Sequence, residues 1–323
     1  METKVCNLVI VAILANIFAG CSNKTEPQSE STTLKGTISI SGAFALYPMA
    51  VKWAEEFKKL NPDVKIDISA GGAGKGMTDV LSGMVDVGML SREIRKEEEE
   101  KGAFKIALTK DAVLATVNSN NPVLPEIKQI GIKQQEFYQI YVEKKIGTWK
   151  DLYKTCKSQE MMYVYNRSDA CGAAEMWALY LGKNQEDLHG VGVYGDPGMA
   201  DAIKNDKNSI GYNNIVYVYD IDTRKKYEGM EVVPLDLNSN GKIDEDENFY
   251  DNLDDLMTAV KNDKYPSPPA RDLYFVTKNK PQNEALISFV KWILTDGQKY
   301  VTESGYVQLS DEKIKLELQK ISN

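Results

Sequence analysis

The feature that most constrains the fold is a regular alternation of strand-like and helix-like segments near the start of the chain. Residues 36–40 form a short β-rich run, and apolar residues recur at a helical period over 48–60. Residues 64–68 alternate as a half-buried strand does, and a second helix ending near Leu81 precedes a strand at 85–89. This β-α-β-α-β order predicts an α/β fold whose mixed, mostly parallel sheets carry helices on both faces.

The rest of the chain continues this pattern. Its length of 323 residues is enough for two domains with a sizeable core. Further strands are predicted at 111–118, 163–165, 215–219, 230–234 and 273–277, and further helices at 173–181 and 286–294.

Composition excludes several classes of function. The formal net charge of -8 argues against nucleic-acid binding, which needs a basic surface. The single histidine, His189, excludes a histidine-based metal cluster and argues against a nucleophile activated by histidine. A small anion remains a possible ligand, because such a site is local and is built largely from dipoles.

The N-terminus predicts export. Lys4 precedes a short apolar run over 8–18 that is too short to span a bilayer. The following Ala19-Gly20-Cys21 resembles a bacterial lipobox, in which the peptide is cleaved before a cysteine that then receives lipid. We therefore predict a signal peptide at 1–20, lipidation of Cys21, a flexible tether at 21–33 and a periplasmic, membrane-anchored location in the cell envelope. The alternative is an ordinary signal peptide with an incidental cysteine.

Three loops connect a predicted strand to a predicted helix, at 41–48, 71–76 and 167–173. The unpaired N–H groups and the dipole at a helix start favour an anion, and glycine lets the backbone approach it. Arg167 in the third loop offers a bidentate guanidinium. The second loop lacks the GK[ST] ending of a nucleotide-binding P-loop, so the three loops together indicate a small-anion site.

The order of these segments resembles that of the substrate-binding proteins of bacterial phosphate ABC transporters. The resemblance implies a type II periplasmic-binding fold, in which two lobes joined by two crossing strands close on the ligand. The first lobe would comprise 34–115 plus 268–323 and the second 116–267. The expected partners are phosphate and an ABC permease in the inner membrane. The protein is expected to be a monomer without enzymatic activity. The segments that carry the resemblance are 42–57, 71–82, 86–92, 111–122, 145–149, 167–173, 210–212, 269–274 and 297–307.

The resemblance also implies the ligand-binding residues. Family members usually place serine or threonine hydroxyls in all three loops, whereas this chain has mostly alanine and cysteine there, and Arg92 stands where an aspartate is common. A different small oxyanion or polar solute is therefore an alternative ligand, and a surface interaction protein that has lost ligand binding is an alternative function. The expected ligand-binding residues are Ala45, Leu46, Ala73, Ser91, Arg92, Arg167, Cys171, Gly172 and Ala173.

Cys171 permits two further interpretations. A thiolate at a helix N-terminus can act as a nucleophile, but no histidine base accompanies it here. In an oxidising compartment Cys171 can also pair with Cys156, and the sequence leaves that disulfide open.

Residues 236–247 match the twelve-residue calcium loop. Oxygen-bearing side chains stand at positions 1, 3, 5, 9 and 12, and Gly241 stands at position 6, where the loop turns sharply. The alternative is an acidic surface turn. The expected Ca²⁺ ligands are Asp236, Asn238, Asn240, Lys242 through its carbonyl, Asp244 and Glu247.

Overall fold

The computed structural model describes residues 34–154 and 161–322. The predicted signal peptide, Cys21 and the tether lie outside the described residues, as does Cys156. From Leu34 onward the chain forms one compact unit.

Strands and helices alternate in the first part of the chain, as the sequence predicts. Pro48 lies in the first turn of α1, where its missing N–H costs no helical hydrogen bond. The elements are β1 (Gly36–Gly42), α1 (Tyr47–Leu60), β2 (Val64–Ala70), α2 (Ala73–Ser82), β3 (Val87–Leu90), α3 (Lys96–Glu100) and β4 (Ala103–Asn118).

The remaining elements continue in mixed order. They are α4 (Leu124–Ile130), α5 (Gln134–Tyr141), α6 (Trp149–Leu152), β5 (Tyr163–Arg167), α7 (Gly172–Tyr180), β6 (Val191–Val193), α8 (Gly195–Asn205), β7 (Ser209–Asn214), β8 (Met230–Val232), α9 (Leu253–Lys261), β9 (Ala270–Lys278), α10 (Glu284–Leu294) and α11 (Asp311–Ser322).

The strand predicted at 215–219 is wrong. Residues Ile215–Tyr217 form a 3₁₀ turn, and the N–H groups of Val218 and Tyr219 both donate to the carbonyl of Ile215. Ile215, Val218 and Tyr219 are fully buried in this turn. Their β-branched and aromatic side chains favour a strand locally, but tertiary packing overrides that preference.

β4 connects the two halves of the sheet, whose strand order is β2-β1-β3-β9-β4-β7-β5-β6, with β8 also paired to β4. Its first part pairs antiparallel with β9 between Ala103 and Ala112, and its second part pairs antiparallel with β7 between Val113 and Val117. The strand–helix–strand units pair in parallel, β1 with β2 and β3, and β5 with β6 and β7. The carboxyl ends of β1 and β2 therefore lie side by side at one edge.

Two hydrophobic cores define two lobes. The first core contains Trp53 and the close pair Phe57 and Phe289, whose ring centroids are 5.0 Å apart. The second core is built around Trp177, which packs edge-on against Phe137 and stacks on Tyr212. Along β4 the first core ends at Leu108 and the second begins at Ala112. β4 and β9 therefore join the two lobes of the α/β fold.

Candidate functional site

The loops after β1 and β2 are locked to each other. The carbonyl oxygen of Gly42 accepts hydrogen bonds from the N–H groups of Gly71 and Gly72, at 2.9 and 3.0 Å. A Cβ atom at Gly76 would lie 2.8 Å from the Cα atom of Gly42, so only glycine permits this approach. The start of α2 and the end of β1 thus form one rigid edge of the first lobe.

The third loop belongs to the second lobe and follows β5. Cys171 is the N-cap of α7, and its Sγ atom accepts a hydrogen bond from the N–H of Ala174 at 3.4 Å. Gly172 and Ala173 occupy the first two positions of the helix, whose N–H groups have no partner within the helix. They are placed to donate to an anion at the helix start.

The loops of the two lobes meet. The N–H of Gly74 in α2 donates to the carbonyl of Ala170 at 3.0 Å. A Cβ atom at Gly172 would lie 2.3 Å from both the carbonyl oxygen and the Oγ atom of Ser91, which follows β3. The structure therefore brings together Ala73, Ser91, Cys171, Gly172 and Ala173, which the resemblance had assigned to one site.

The first loop reaches the site through Phe44. The guanidinium carbon of Arg167 lies 5.9 Å from the centre of the Phe44 ring, a cation–π contact between the lobes. Ala45 and Leu46, the next two residues of the loop, are buried. The N–H of Leu46 donates to the carbonyl of Ala43 at 3.2 Å, so that expected ligand donor is engaged inside its own turn.

Arg167 is the central cation of the site and is held by two carboxylates. Its Nε and NH2 atoms donate to the two oxygens of Asp169 at 2.8 and 2.7 Å, and its NH1 atom donates to Asp196 at 2.8 Å. Burial alone would lower the pKa of Arg167, but Asp196 and Asp169 raise it above its ordinary value. The guanidinium is therefore charged and fixed in orientation.

Arg92, the other expected cation, lies in a separate ion-pair cluster. Its guanidinium donates to both oxygens of Glu98 at 2.7 and 2.8 Å, and its Nε atom lies 3.3 Å from Glu175. Glu175 also pairs with Arg95 at 3.0 Å. Because Glu175 is on α7 and both arginines are on the first lobe, this cluster bridges the lobes and balances the charge of Arg92.

Cys171 is buried, and among residues 34–154 and 161–322 its thiol forms no disulfide. Burial raises the pKa of that thiol to about 12, an effect that the nearby charge of Arg167 only partly offsets. The protonated thiol therefore dominates at neutral pH, which removes the thiolate that a nucleophilic role requires.

Two residues of the site were missed by sequence reasoning. Asp169 lies inside the third loop, two residues after Arg167, and that spacing could have suggested an ion pair. Asp196, on α8, is 3% exposed and comes from a segment that gave no signal. Only the tertiary fold places α8 against the end of β5.

The predicted calcium loop is folded around two buried carboxylates. Asp236 accepts hydrogen bonds from the N–H groups of Asn240 and Gly241, and Glu247 accepts from those of Leu237, Asn238 and Asp244. Asp244 accepts from the side-chain amides of Asn238 and Asn240 and pairs with Lys242. Among residues 34–154 and 161–322, no group of three or more His, Cys, Asp or Glu side chains is placed to hold a metal ion.

None of the helices described by the structure is both long enough and apolar enough to cross a membrane.

Comparison with known proteins identifies the family. A sequence profile described as a PBP superfamily domain matches residues 27–297. The phosphate-binding protein PstS of Bacillus subtilis (strain 168) is 30% identical over 226 residues, which are 68% of this chain and 73% of the relative. The protein of the same name from Staphylococcus aureus (strain USA300) is 24% identical over 318 residues, which are 96% of this chain and 90% of the relative.

Solved structures share the fold. A phosphate ABC transporter substrate-binding protein from Clostridium perfringens, solved with bound phosphate, has a TM-score of 0.69 at 23% identity, covering 85% of this chain and 100% of that one. An ABC-type phosphate transport receptor from Vibrio cholerae has a TM-score of 0.61 at 17% identity, covering 84% and 100%. The fold, the matched profile and the relative at 30% identity agree. The chain therefore belongs to the PBP superfamily and, within it, to the family of the phosphate-binding proteins PstS.

Proposed function

We propose that this chain binds phosphate between its two lobes and delivers it to an ABC permease in the inner membrane, acting as a monomer and without catalysis. The observation that carries the proposal is that the first and second helix-start loops both contact the third loop, which holds the buried guanidinium of Arg167. The names of the Bacillus subtilis and Staphylococcus aureus relatives support phosphate as the ligand.

The chemistry suits a dehydrated anion. Burying a charge is prohibitive unless it is paired and hydrogen-bonded. Arg167 supplies the charge, while the N–H groups of Ala73 at the start of α2 and of Gly172 and Ala173 at the start of α7 supply donors, with favourable helix dipoles. Closure of the lobes would remove water, which strengthens each of these interactions.

Selectivity is the less constrained part of the proposal. Ala43, Ala45, Ala73 and Ala173 supply no hydroxyl, and each missing neutral hydrogen bond removes about 0.5–1.5 kcal/mol. Arg92 lies in a separate cluster with Glu98 and Glu175 and offers no charge at Arg167. A related oxyanion therefore remains the second candidate ligand.

Isothermal titration calorimetry of the mature chain tests the proposal. Phosphate, sulfate, molybdate and an organic phosphate are titrated in parallel, and phosphate should bind with the highest affinity. Tighter binding of one of the others would keep the site and change the ligand. Absence of binding to all of them would favour the surface interaction protein.

We propose that the chain is anchored by lipid at Cys21. The support is the lipobox-like sequence before Cys21 and the family match, which begins only at residue 27. One acyl chain binds membranes marginally, so stable anchoring needs at least two. Cys21→Ser should release the protein from the membrane fraction in a cell-fractionation assay. Wild-type protein that is already soluble and unlipidated would contradict the anchor.

We propose that the loop at 236–247 binds Ca²⁺ as a structural ion. The support is the sequence match, the burial of Asp236 and Glu247 and the positive φ of Gly241. Ca²⁺ that binds only the native state stabilises it by RT ln(1 + [L]/Kd), so millimolar Ca²⁺ should raise the melting temperature by a few degrees. Glu247→Gln should abolish the increase, whereas Glu245→Gln, at a non-ligand position, should keep it. Equal melting temperatures in Ca²⁺ and in EDTA would contradict the proposal and indicate that the loop is an acidic surface turn.

A further inference from the structure

A buried polar chain runs from the anion site to the strands that join the lobes. Asp196 accepts from Arg167 through one oxygen and from the side-chain amide of Asn214 through the other. The amide oxygen of Asn214 accepts in turn from Arg271 on β9. Arg271 lies 3.4 Å from Asp111, its cross-strand neighbour on β4. None of these five side chains belongs to a residue that is more than 5% exposed.

The order of donors and acceptors at Asp196 and Asn214 is fixed by the groups on either side of them, Arg167 and Arg271. Both are guanidinium groups, which only donate. Asp196 and Asn214 must therefore each present an acceptor to the neighbouring guanidinium group, and one of the two must donate a hydrogen bond to the other. A carboxylate at 196 with an amide at 214 satisfies this condition. With an amide at both positions, at least one contact along the row would place two donors or two acceptors against each other.

Arg271 depends on this arrangement. Its Nε and NH1 atoms have no hydrogen-bond partner in the described part of the chain, so the oxygen of Asn214 is its main hydrogen-bond acceptor. An unsatisfied buried charged group is costly, and the orientation of Asn214 is therefore set by Arg271. Asn214 then leaves Asp196 free to hold Arg167 by its second oxygen.

We propose that Asp196, Asn214 and Arg271 are positioning residues that fix the guanidinium of Arg167 in the orientation that binds the oxyanion. The inference rests on the proposed phosphate function and assigns to that site three residues of α8, β7 and β9. Asp169 alone leaves NH1 of Arg167 without a carboxylate, and Asp196 supplies one from α8 of the same lobe.

Electrostatics alone predicts the opposite effect of a substitution at this position. Asp196→Asn removes a negative charge beside an anion site, which by charge alone should tighten phosphate binding. A positioning role predicts weaker phosphate binding, because two amides then lie between the guanidinium groups and Arg167 loses a charge-assisted hydrogen bond. The sign of the change in Kd therefore distinguishes the two.

The test is an exchange of the two groups, measured by calorimetry with phosphate. Asp196→Asn alone should raise Kd roughly tenfold or more. Combining it with Asn214→Asp restores one carboxylate and one amide between the guanidinium groups, and should bring Kd back to within a few-fold of wild type. Glu317→Gln, a buried carboxylate paired with Lys320 on α11, is the matched control and should leave Kd unchanged.

A second background separates positioning from general destabilisation. In Arg167→Lys, which cannot use the fork geometry, Asp196→Asn should have a much smaller effect on Kd. Unchanged or tighter phosphate binding by Asp196→Asn, or an equal loss in both backgrounds without rescue by the exchange, would overturn the inference. Failure of the wild type to bind any oxyanion would instead overturn the proposed function.

Discussion

Arg167→Ala should weaken phosphate binding by about 2–5 kcal/mol, the cost of truncating one partner of a buried, hydrogen-bonded charge pair. This corresponds to a rise in Kd of roughly one and a half to three and a half orders of magnitude. The substitution removes the central cation and also leaves Asp169 and Asp196 unpaired beside the anion. Calorimetry against the wild type measures the effect.

The alanine variant also loses two buried ion pairs, so its fold requires a check. Arg167→Lys keeps the positive charge but loses the bidentate contact with Asp169, and should give an intermediate Kd. Melting curves without ligand show whether each variant is folded. Phosphate affinity equal to wild type in a folded Arg167→Ala protein would exclude Arg167 from the site.

The alternating part of the fold was predictable because its signal is local. In α1 and β2 the spacing of apolar residues reflects which face of the element is buried. This spacing repeats within a few residues, so it can be read from a short stretch of sequence. The glycines at 42, 72 and 76 likewise indicated loops in which the backbone approaches closely. Gly76 shows this directly, since a side chain there would collide with β1.

The ion-pair partners were not predictable because they depend on long-range contacts. The resemblance implied that Arg92 contacts the ligand, yet Glu98 and Glu175 engage it here. Glu175 is 83 positions away in sequence, and nothing near Arg92 indicates it. Asp196 is similarly separated from Arg167. Sequence analysis therefore identified candidate anion-binding groups but not the carboxylates that pair with them.

The same distinction explains the wrong strand at 215–219. Local preference favours a strand, but Asn214 ends β7 with its side chain bound to Asp196 and Arg271. The chain then turns so that Ile215, Val218 and Tyr219 are buried. The hydrogen bonds of Asn214 and the burial of the three apolar side chains together outweigh the local strand propensity, which spans only about 1 kcal/mol.

Gly172→Ala should abolish lobe closure and weaken phosphate binding roughly a hundredfold or more, the effect of a penalty of about 3 kcal/mol on the closed state. A Cβ atom at Gly172 would lie 2.3 Å from the carbonyl oxygen and 2.6 Å from the carbonyl carbon of Ser91, and backbone atoms cannot move aside as a flexible side chain can. Gly172 is on the second lobe and Ser91 on the first. The overlap therefore exists only when the lobes are together, and the separated lobes are unaffected.

Two measurements and a matched control test this prediction. Small-angle scattering with saturating phosphate should show wild type compacting and Gly172→Ala remaining extended, while ligand-free melting temperatures stay similar. Gly198→Ala also places a methyl group in the first turns of a helix, α8, but its Cβ would meet nothing within 4 Å. That control should close and bind normally, with stability unchanged or raised by up to about 1 kcal/mol because alanine favours the helix. Normal affinity and compaction in Gly172→Ala would show that the bound protein does not form the contact between Gly172 and Ser91.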